Sequence, residues 1–328
     1  MTYPIDLSQS PEGYGRIADD PEFDPSVHLA LEVPDTRYTL ADLGYREDQI
    51  AECPSDFAAT SVFRVLSEEG AACLYTVCKQ LEAYTSSNPR IERCTRGGVY
   101  RSRFLRDLCL SPDVASFMSE LAGVDLMPHT IPHQLGHLNY NPSVVGGDVD
   151  KWHVDTLRYD YVMFVTDPTK VKGGAFQYFR GTKEEIAEIK SKGDKVPNER
   201  VIAPEMPGPG YAVLQQGNMV VHQAKGLEEE GERITMVNGY VADPKRFEDF
   251  TRYDQLTLVD PPEVVTAEYA RHIAVLNDLR LNGQLGDIGF QADPMGVADR
   301  LEHVARSLSQ TAKELRDTQN VQIEHFGD

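Results

Sequence analysis

The spacing of apolar positions changes character twice along this chain, and the changes divide it into three parts. Residues 1–38 are rich in Pro, Asp and Gly without a sustained period and read as an extended arm. Helical signals follow. Thr39 stands as an N-cap before Leu40-Ala41-Asp42-Leu43, and Gly44 ends that short turn. Phe57, Val62, Val65, Leu66, Ala72, Leu74, Val77 and Leu81 predict a helix over about 57–84, capped by Ser55 or Asp56 and divided at Gly70. A third helix is expected from Pro112 to Leu121, stopped by Gly123. From about 126 to 242 the sequence breaks into short β-branched and aromatic runs between Gly and Pro: 134–140, 159–166, 174–180, 211–215, 218–222 and 233–241. Many short strands with frequent turn signals predict a sandwich or barrel. One helix interrupts them at about 182–191, with Thr182 as cap and Glu185 completing a capping box. The segment 193–210 reads as a loop. After Pro244 the helical period returns over 262–281 and 295–317. The expected organisation is one domain, mainly β with flanking helices: an arm and helices over 1–125, a β core over 126–242 and C-terminal helices over 243–328.

Charge narrows the choice of partner. The chain carries a formal net charge of −20, which repels phosphate backbones and anionic lipid. Neither nucleic acid nor a membrane is expected as a partner, and a small molecule is. No run approaches the roughly 18 apolar residues of a membrane span, and MTYPIDLSQSPEGYGR has neither the basic nor the apolar region of a secretory signal. The five cysteines, Cys53, Cys73, Cys78, Cys94 and Cys109, are odd in number and lack zinc-knuckle or CxxC spacing. Cys73 and Cys78 fall in an apolar helical stretch as packed thiols. A reducing, cytoplasmic setting is the expectation.

The candidate chemistry sits in the β region. His153 and Asp155 flank Val154 in KWHVDTL, and on extended backbone positions i and i+2 project to one side. His222 ends the apolar run NMVVH and supplies a third ligand. Two imidazoles and one carboxylate on one side of an ion leave its other positions open, the pattern of non-haem iron(II) sites; zinc fits this donor set less well. Eleven residues on, Arg233 and Thr235 share a strand face in ERITMVNGYV. An arginine fork with a hydroxyl beside it grips a carboxylate. His129, His133 and His137 are spaced by four, but Pro132 argues against a helix there. On a strand they would share a face, so His137 or Asn139 is expected to approach the site without ligating. Trp152, immediately before His153, is expected to pack behind the ligand.

The order HxD, then His after 67 residues, then Arg-x-Thr resembles the Fe(II)/2-oxoglutarate-dependent dioxygenase superfamily. GGAFQYFRGT at 173–182 resembles the strand and turn that follow the first ligand pair, and Gly217-Asn218 resembles the turn before the distal histidine. The resemblance covers about 130–242, a third of the chain. It implies a double-stranded β-helix (jelly-roll or cupin-like) core, Fe(II) as cofactor, 2-oxoglutarate and O₂ as cosubstrates, and oxidation of an unactivated C–H bond of a small molecule. DLGY at 42–45 and the Arg233-x4-Asn238 spacing resemble a group acting on free amino acids, some of them hydroxylases and some radical halogenases. In the halogenases a small residue replaces the carboxylate ligand; Asp155 here implies hydroxylation, desaturation or oxidative cyclisation instead. The same resemblance implies that Asn238 and one of Arg96, Arg101 and Arg103 hold a substrate carboxylate, with Arg101 the chosen candidate. Two alternatives stand beside it: the same chemistry on a lipid- or polyketide-like metabolite, as in relatives of phytanoyl-CoA hydroxylase, and a metal-binding barrel without catalysis. Arg233 and Thr235 speak against the latter, because a bare metal site has no need of a carboxylate clamp. The C-terminal helices either cover the barrel or form the interface of a homodimer.

Overall fold

A computed structural model of the chain describes residues 3–286, 288–316 and 326. Its strands are β1 (Arg37–Thr39), β2 (Phe57–Thr60), β3 (Phe63–Arg64), β4 (Cys94–Thr95), β5 (Leu126–Pro128), β6 (His137–Tyr140), β7 (Asp150–His153), β8 (Tyr159–Phe164), β9 (Phe176–Phe179), β10 (Val201–Ile202), β11 (Tyr211–Gln215), β12 (His222–Ala224) and β13 (Ile234–Ala242). The helices are α1 (Pro25–His28), α2 (Glu47–Ala51), α3 (Glu68–Leu81), α4 (Gly98–Arg101), α5 (Arg103–Cys109), α6 (Pro112–Ala122), α7 (Lys183–Ser191), α8 (Tyr253–Val259), α9 (Pro262–Gly286) and α10 (Pro294–Glu314).

The strands form two antiparallel sheets. The larger runs β1-β2-β11-β8-β13-β6-β4, with β3 added on β11 and β5 on β13; the smaller runs β10-β9-β12-β7. From β6 to β13 the chain alternates between them except at β9 and β10, which pair in the small sheet, so that β6, β8, β11 and β13 lie in one sheet and β7, β9, β10 and β12 in the other. That alternation winds the eight strands into a double-stranded β-helix, the jelly-roll core expected from the sequence. Val162 and Phe164 of β8, Val213 of β11 and Val237 of β13 meet Phe176 and Tyr178 of β9 in one buried cluster between the sheets. The pleat sends alternate residues the other way: Tyr161 and Met163 of β8 and Met236 and Tyr240 of β13 pack with α3, α5 and α6. Strand β13 is therefore covered on both faces, and all nine of its residues are buried.

Several local predictions meet the structure directly. Thr182 and Glu185 form the capping box of α7. Gly123 closes α6 in the left-handed conformation (φ 69°), and Gly44 ends a single turn at Ala41–Leu43 (φ 91°). Two predictions are corrected. The stretch 57–64, read as the start of a long helix, forms β2 and β3, because every residue of β2 is buried between neighbours and the period there is not helical. The helix begins at Glu68, where the Ser67 side chain accepts from the Gly70 amide. Gly70 does not break it; a Cβ at that position would run into the His28 carbonyl, so glycine admits α1 against α3. The run 218–222 is a turn leading into a strand that starts only at His222. After β13, α8 and α9 return across one edge of the core, where Leu256, Val265 and Tyr269 pack on Ile131. Among the described residues no helix is long and apolar enough to cross a membrane.

Candidate active site

Strand pairing brings the three expected ligands together. β12 lies antiparallel to β7 with His222 opposite His153, and Asp155 follows two residues beyond the end of β7. The two imidazoles stand 4.2 Å apart between ring centroids. Asp155 Oδ2 is 3.2 Å from His222 Nε2 and Asp155 Oδ1 is 3.5 Å from His153 Nε2. Each ring is fixed from behind: His153 Nδ1 donates to the Lys151 carbonyl at 2.6 Å, and His222 Nδ1 donates to the Val220 carbonyl at 2.9 Å. A carbonyl only accepts, so each Nδ1 carries a proton and each Nε2 faces the cluster, where a metal would meet it. Burial lowers the pKa of His222, but the facing Asp155, with Asp160 and the Val220 carbonyl, outweighs it and raises that pKa. Burial, with the Arg90 charge, lowers the pKa of His153. Burial alone would raise Asp155, but the facing His222 and His153 hold it well below the usual carboxylate range. The group thus presents one carboxylate and two imidazole nitrogens, a donor set that fits iron(II). Trp152 points the other way and packs with Phe179, Ile186 and Val221 behind the small sheet.

Glycine makes room for this geometry. The Asp155 amide donates to the Gly217 carbonyl at 2.9 Å, and a Cβ on Gly217 would collide with Asp160 Oδ2 and lie 3.1 Å from Asp155 Oδ2. Asp160 is fully buried beside the ligand and receives Gln215 Nε2 at 3.0 Å. Burial and the neighbouring Asp155 charge push its pKa well up.

The carboxylate clamp lies in the same cavity, a space of about 150 Å³ lined by residues of both sheets and by α8. Arg233 is 1% exposed. Its Nε donates to the Gly174 carbonyl at 2.6 Å and its Nη1 to Thr235 Oγ1 at 3.3 Å, while Nη2 is buried with no protein partner. Gly174 adopts φ 72°, and a Cβ there would sit 3.0 Å from the Arg233 side chain. Burial lowers the guanidinium pKa to about 10. A buried cation with one idle edge calls for an anion. Val162, Phe176 and Val237 supply the apolar wall of the cavity.

The other candidates divide. His137 and Asn139 line the cavity, 3.4 Å from one another, and Asn139 Oδ1 has no protein partner. Arg96 also lines it, its Nε donating to both oxygens of Asp260 at 2.7 and 2.9 Å. Asn238 and Arg101 lie outside it. Asn238 accepts from the Gly136 amide and donates to the Cys109 carbonyl; Arg101 donates to the Gly15 carbonyl and is flanked by Tyr14 and Tyr84. Both serve packing between core and helices, which corrects the substrate contact expected of them. Arg103 pairs with Asp20 at the surface. His129 and His133 face away from the site: His129 is in a loop and His133 in a single turn at Pro132–Gln134, not on one strand. Sequence reasoning missed Arg90, Asp150 and Asp160, whose roles come from contacts across the fold.

A second group of metal-capable type, His129, Asp249 and His272, is wired differently. The Ile131 amide donates to His129 Nδ1 at 3.1 Å, which places that ring's proton on Nε2, toward Thr251 Oγ1 at 3.0 Å. Neither nitrogen then offers a lone pair to an ion. His272 links Thr130 Oγ1 to Asp249 Oδ1, at 2.7 and 3.1 Å. This group is a fastening between the core and α9, not a metal centre.

No family model matches the chain, and no curated protein does. Solved structures that resemble it include EctD from S. alaskensis with 2-oxoglutarate and 5-hydroxyectoine, 19% identical over 70% of this chain and 86% of that one, TM-score 0.45. The non-heme alpha ketoglutarate dependent carbocyclase SnoK from nogalamycin biosynthesis is 16% identical over 70% of this chain and 95% of that one, TM-score 0.43. HygX from Streptomyces hygroscopicus with nickel, 2-oxoglutarate and hygromycin B is 13% identical over 60% and 87%, TM-score 0.39. These likenesses are loose, and the functional reading rests on the geometry of the site itself.

Proposed function

We propose that this chain is an Fe(II)- and 2-oxoglutarate-dependent oxygenase that oxidises an unactivated C–H bond of a small molecule. The observation that carries the reading is Arg233: a buried guanidinium with an idle Nη2 and no carboxylate partner, in the same cavity as two imidazoles whose Nε2 atoms face a carboxylate. His153, Asp155 and His222 would hold the metal from one side. Arg233 and Thr235 would bind the far carboxylate of the oxo acid. When bound, iron and the oxo acid supply the oxidising chemistry, reducing O₂ with two electrons from decarboxylation and two from the substrate C–H bond. The chain's own work is to orient these reactants and exclude water. The Nδ1–carbonyl bonds of both histidines fix ring orientation, and Val162, Phe176 and Val237 keep the interior apolar.

The finer reading is a substrate that bears a carboxylate, such as a free amino acid or a derivative. Arg96 supports it, as the arginine of the expected set that reaches the cavity; a substrate carboxylate would exchange with Asp260 on its guanidinium. The outcome after C–H cleavage follows from substrate structure.

The test is an anaerobic titration of metal-free protein with Fe(II) and then 2-oxoglutarate, followed by visible absorption. A metal-to-ligand charge-transfer band is expected, and Asp155→Ala should abolish both iron binding and the band. Iron binding without a band on adding the oxo acid would exclude the oxygenase.

A further inference from the structure

Two carboxylates, not one, reach the inner nitrogen of His153. Asp155 Oδ1 and Asp150 Oδ2 each lie 3.5 Å from His153 Nε2. Asp150 is the first residue of β7 and is 6% exposed, so water does little to screen it. Left to themselves, both carboxylates would be drawn to a divalent ion held by His153. Two carboxylates would cancel the charge of that ion and take a position needed by a chelating oxo acid. A dianionic cosubstrate would then approach a neutral centre in place of a cationic one.

Arg90 lies across this pair. Its Nε donates to Asp150 Oδ2 at 3.0 Å, its Nη2 is 2.9 Å from the same oxygen, and Nη2 donates to Asp155 Oδ1 at 3.3 Å. The arginine is itself fixed from the backbone, because Asn88 Oδ1 accepts from the amides of both Arg90 and Ile91, at 2.9 and 2.8 Å. Asp155 keeps its other oxygen, Oδ2, toward His222.

We propose that Arg90 is a positioning residue: it occupies Asp150 and one oxygen of Asp155, so that a metal held by His153 and His222 takes a single carboxylate oxygen and keeps its remaining positions and net positive charge for the 2-oxo acid. This role rests on the oxygenase reading above. It separates two affinities that a merely structural residue would move together. Without Arg90, metal should bind as well or better, because Asp150 and Asp155 lose the cation that draws them from it, while the oxo acid should bind worse.

The experiment compares wild type, Arg90→Gln, Arg90→Lys and the double variant Arg90→Gln/Asp150→Asn, each titrated anaerobically with Fe(II) and then 2-oxoglutarate. Co(II) absorption serves as an independent report of coordination number. Arg90→Gln should hold Fe(II) within about threefold of wild type or tighter, and bind 2-oxoglutarate at least tenfold more weakly, the range in which residues supporting metal ligands act. Removing the second carboxylate in the double variant should restore most of the oxo acid affinity, and Arg90→Lys should fall between. Arg90→Gln with unchanged affinities overturns the role, and so does parallel loss of both affinities without rescue in the double variant. If wild type itself binds metal and no oxo acid, the oxygenase reading fails first and this role falls with it; that arm is separate from the variants.

Discussion

At the scale of the residue, Arg233 shows how a site is kept ready at the expense of stability. Its guanidinium is buried without a counter-ion, and burial lowers its pKa to about 10. For a base, a folded pKa below the unfolded value means that the charged form is disfavoured in the fold. The penalty is present in full at every pH below about 10 and is relieved only above it, at neutral pH on the order of 3 kcal/mol. Arg233→Met should therefore raise the melting temperature of metal-free protein by about 1–3 °C, as a stabilisation of about 1–2 kcal/mol from removing an uncompensated buried charge does in a chain of this size. The same variant should lose the stabilisation that Fe(II) with 2-oxoglutarate gives wild type. Thermal scans with and without these ligands check both parts; a lower melting temperature for ligand-free Arg233→Met would mean that the guanidinium already has a partner. The pairs His153 with Asp155 and Arg233 with Thr235 were legible in the sequence because i, i+2 spacing on extended backbone sends both side chains to one side, even though Asp155 and Arg233 lie just outside β7 and β13. Arg90, Asp150 and Asp160 were not. Arg90 lies in an aperiodic loop and meets its partners 60 and 65 residues away, and nothing local marks such a contact.

At the scale of the element, the cavity is closed by α8, whose Leu256 and Val259 line it. Besides the apolar contact on Ile131, α8 and the start of α9 are held there by the ion pair of Arg96 with Asp260, whose carboxylate side chain is 2% exposed. Removing one partner of a buried pair leaves the other uncompensated and costs about 3–5 kcal/mol. Asp260→Ala should speed amide exchange across 253–260 by at least tenfold while the exchange of β8 and β13 stays at its wild-type rate, measured by hydrogen–deuterium exchange. Uniform acceleration through the whole chain would show that the pair stabilises the fold at large and is no local fastening. Element boundaries show where sequence patterns mislead. The capping box of α7 and the glycine stop of α6 were readable because capping is local chemistry. β2 read as helix because a strand buried on both faces loses the alternation that identifies it, and β3, two residues long, is too short to show any; only the sheet they join distinguishes them from helix.

At the scale of the whole molecule, the jelly-roll core and the C-terminal helices are joined by the fastening of His129, Asp249 and His272, which makes their union sensitive to acid. His129 is fully buried and its pKa is lowered to about 3, first by burial, then by the neighbouring His272, with Arg96 adding and Asp249 opposing. In the unfolded chain the same ring titrates near its ordinary 6.5. Between these values the unfolded state binds a proton that the native state refuses. Stability from this ring is complete above about pH 6.5 and is lost as pH falls toward 3, at up to about 1.4 kcal/mol per pH unit. Burial alone would raise the pKa of Asp249, but His272 and His129 hold it below the usual carboxylate range, so its contribution is complete above about pH 4 and is lost only below that. His129→Asn keeps an oxygen where Nδ1 accepts the Ile131 amide and removes the titration. Denaturant unfolding of metal-free protein between pH 4 and 7 should give a shallower fall in stability for this variant than for wild type, by close to one proton. Parallel curves for the two proteins would show that His129 takes up its proton without opening the junction, and that acid reaches the core by another route.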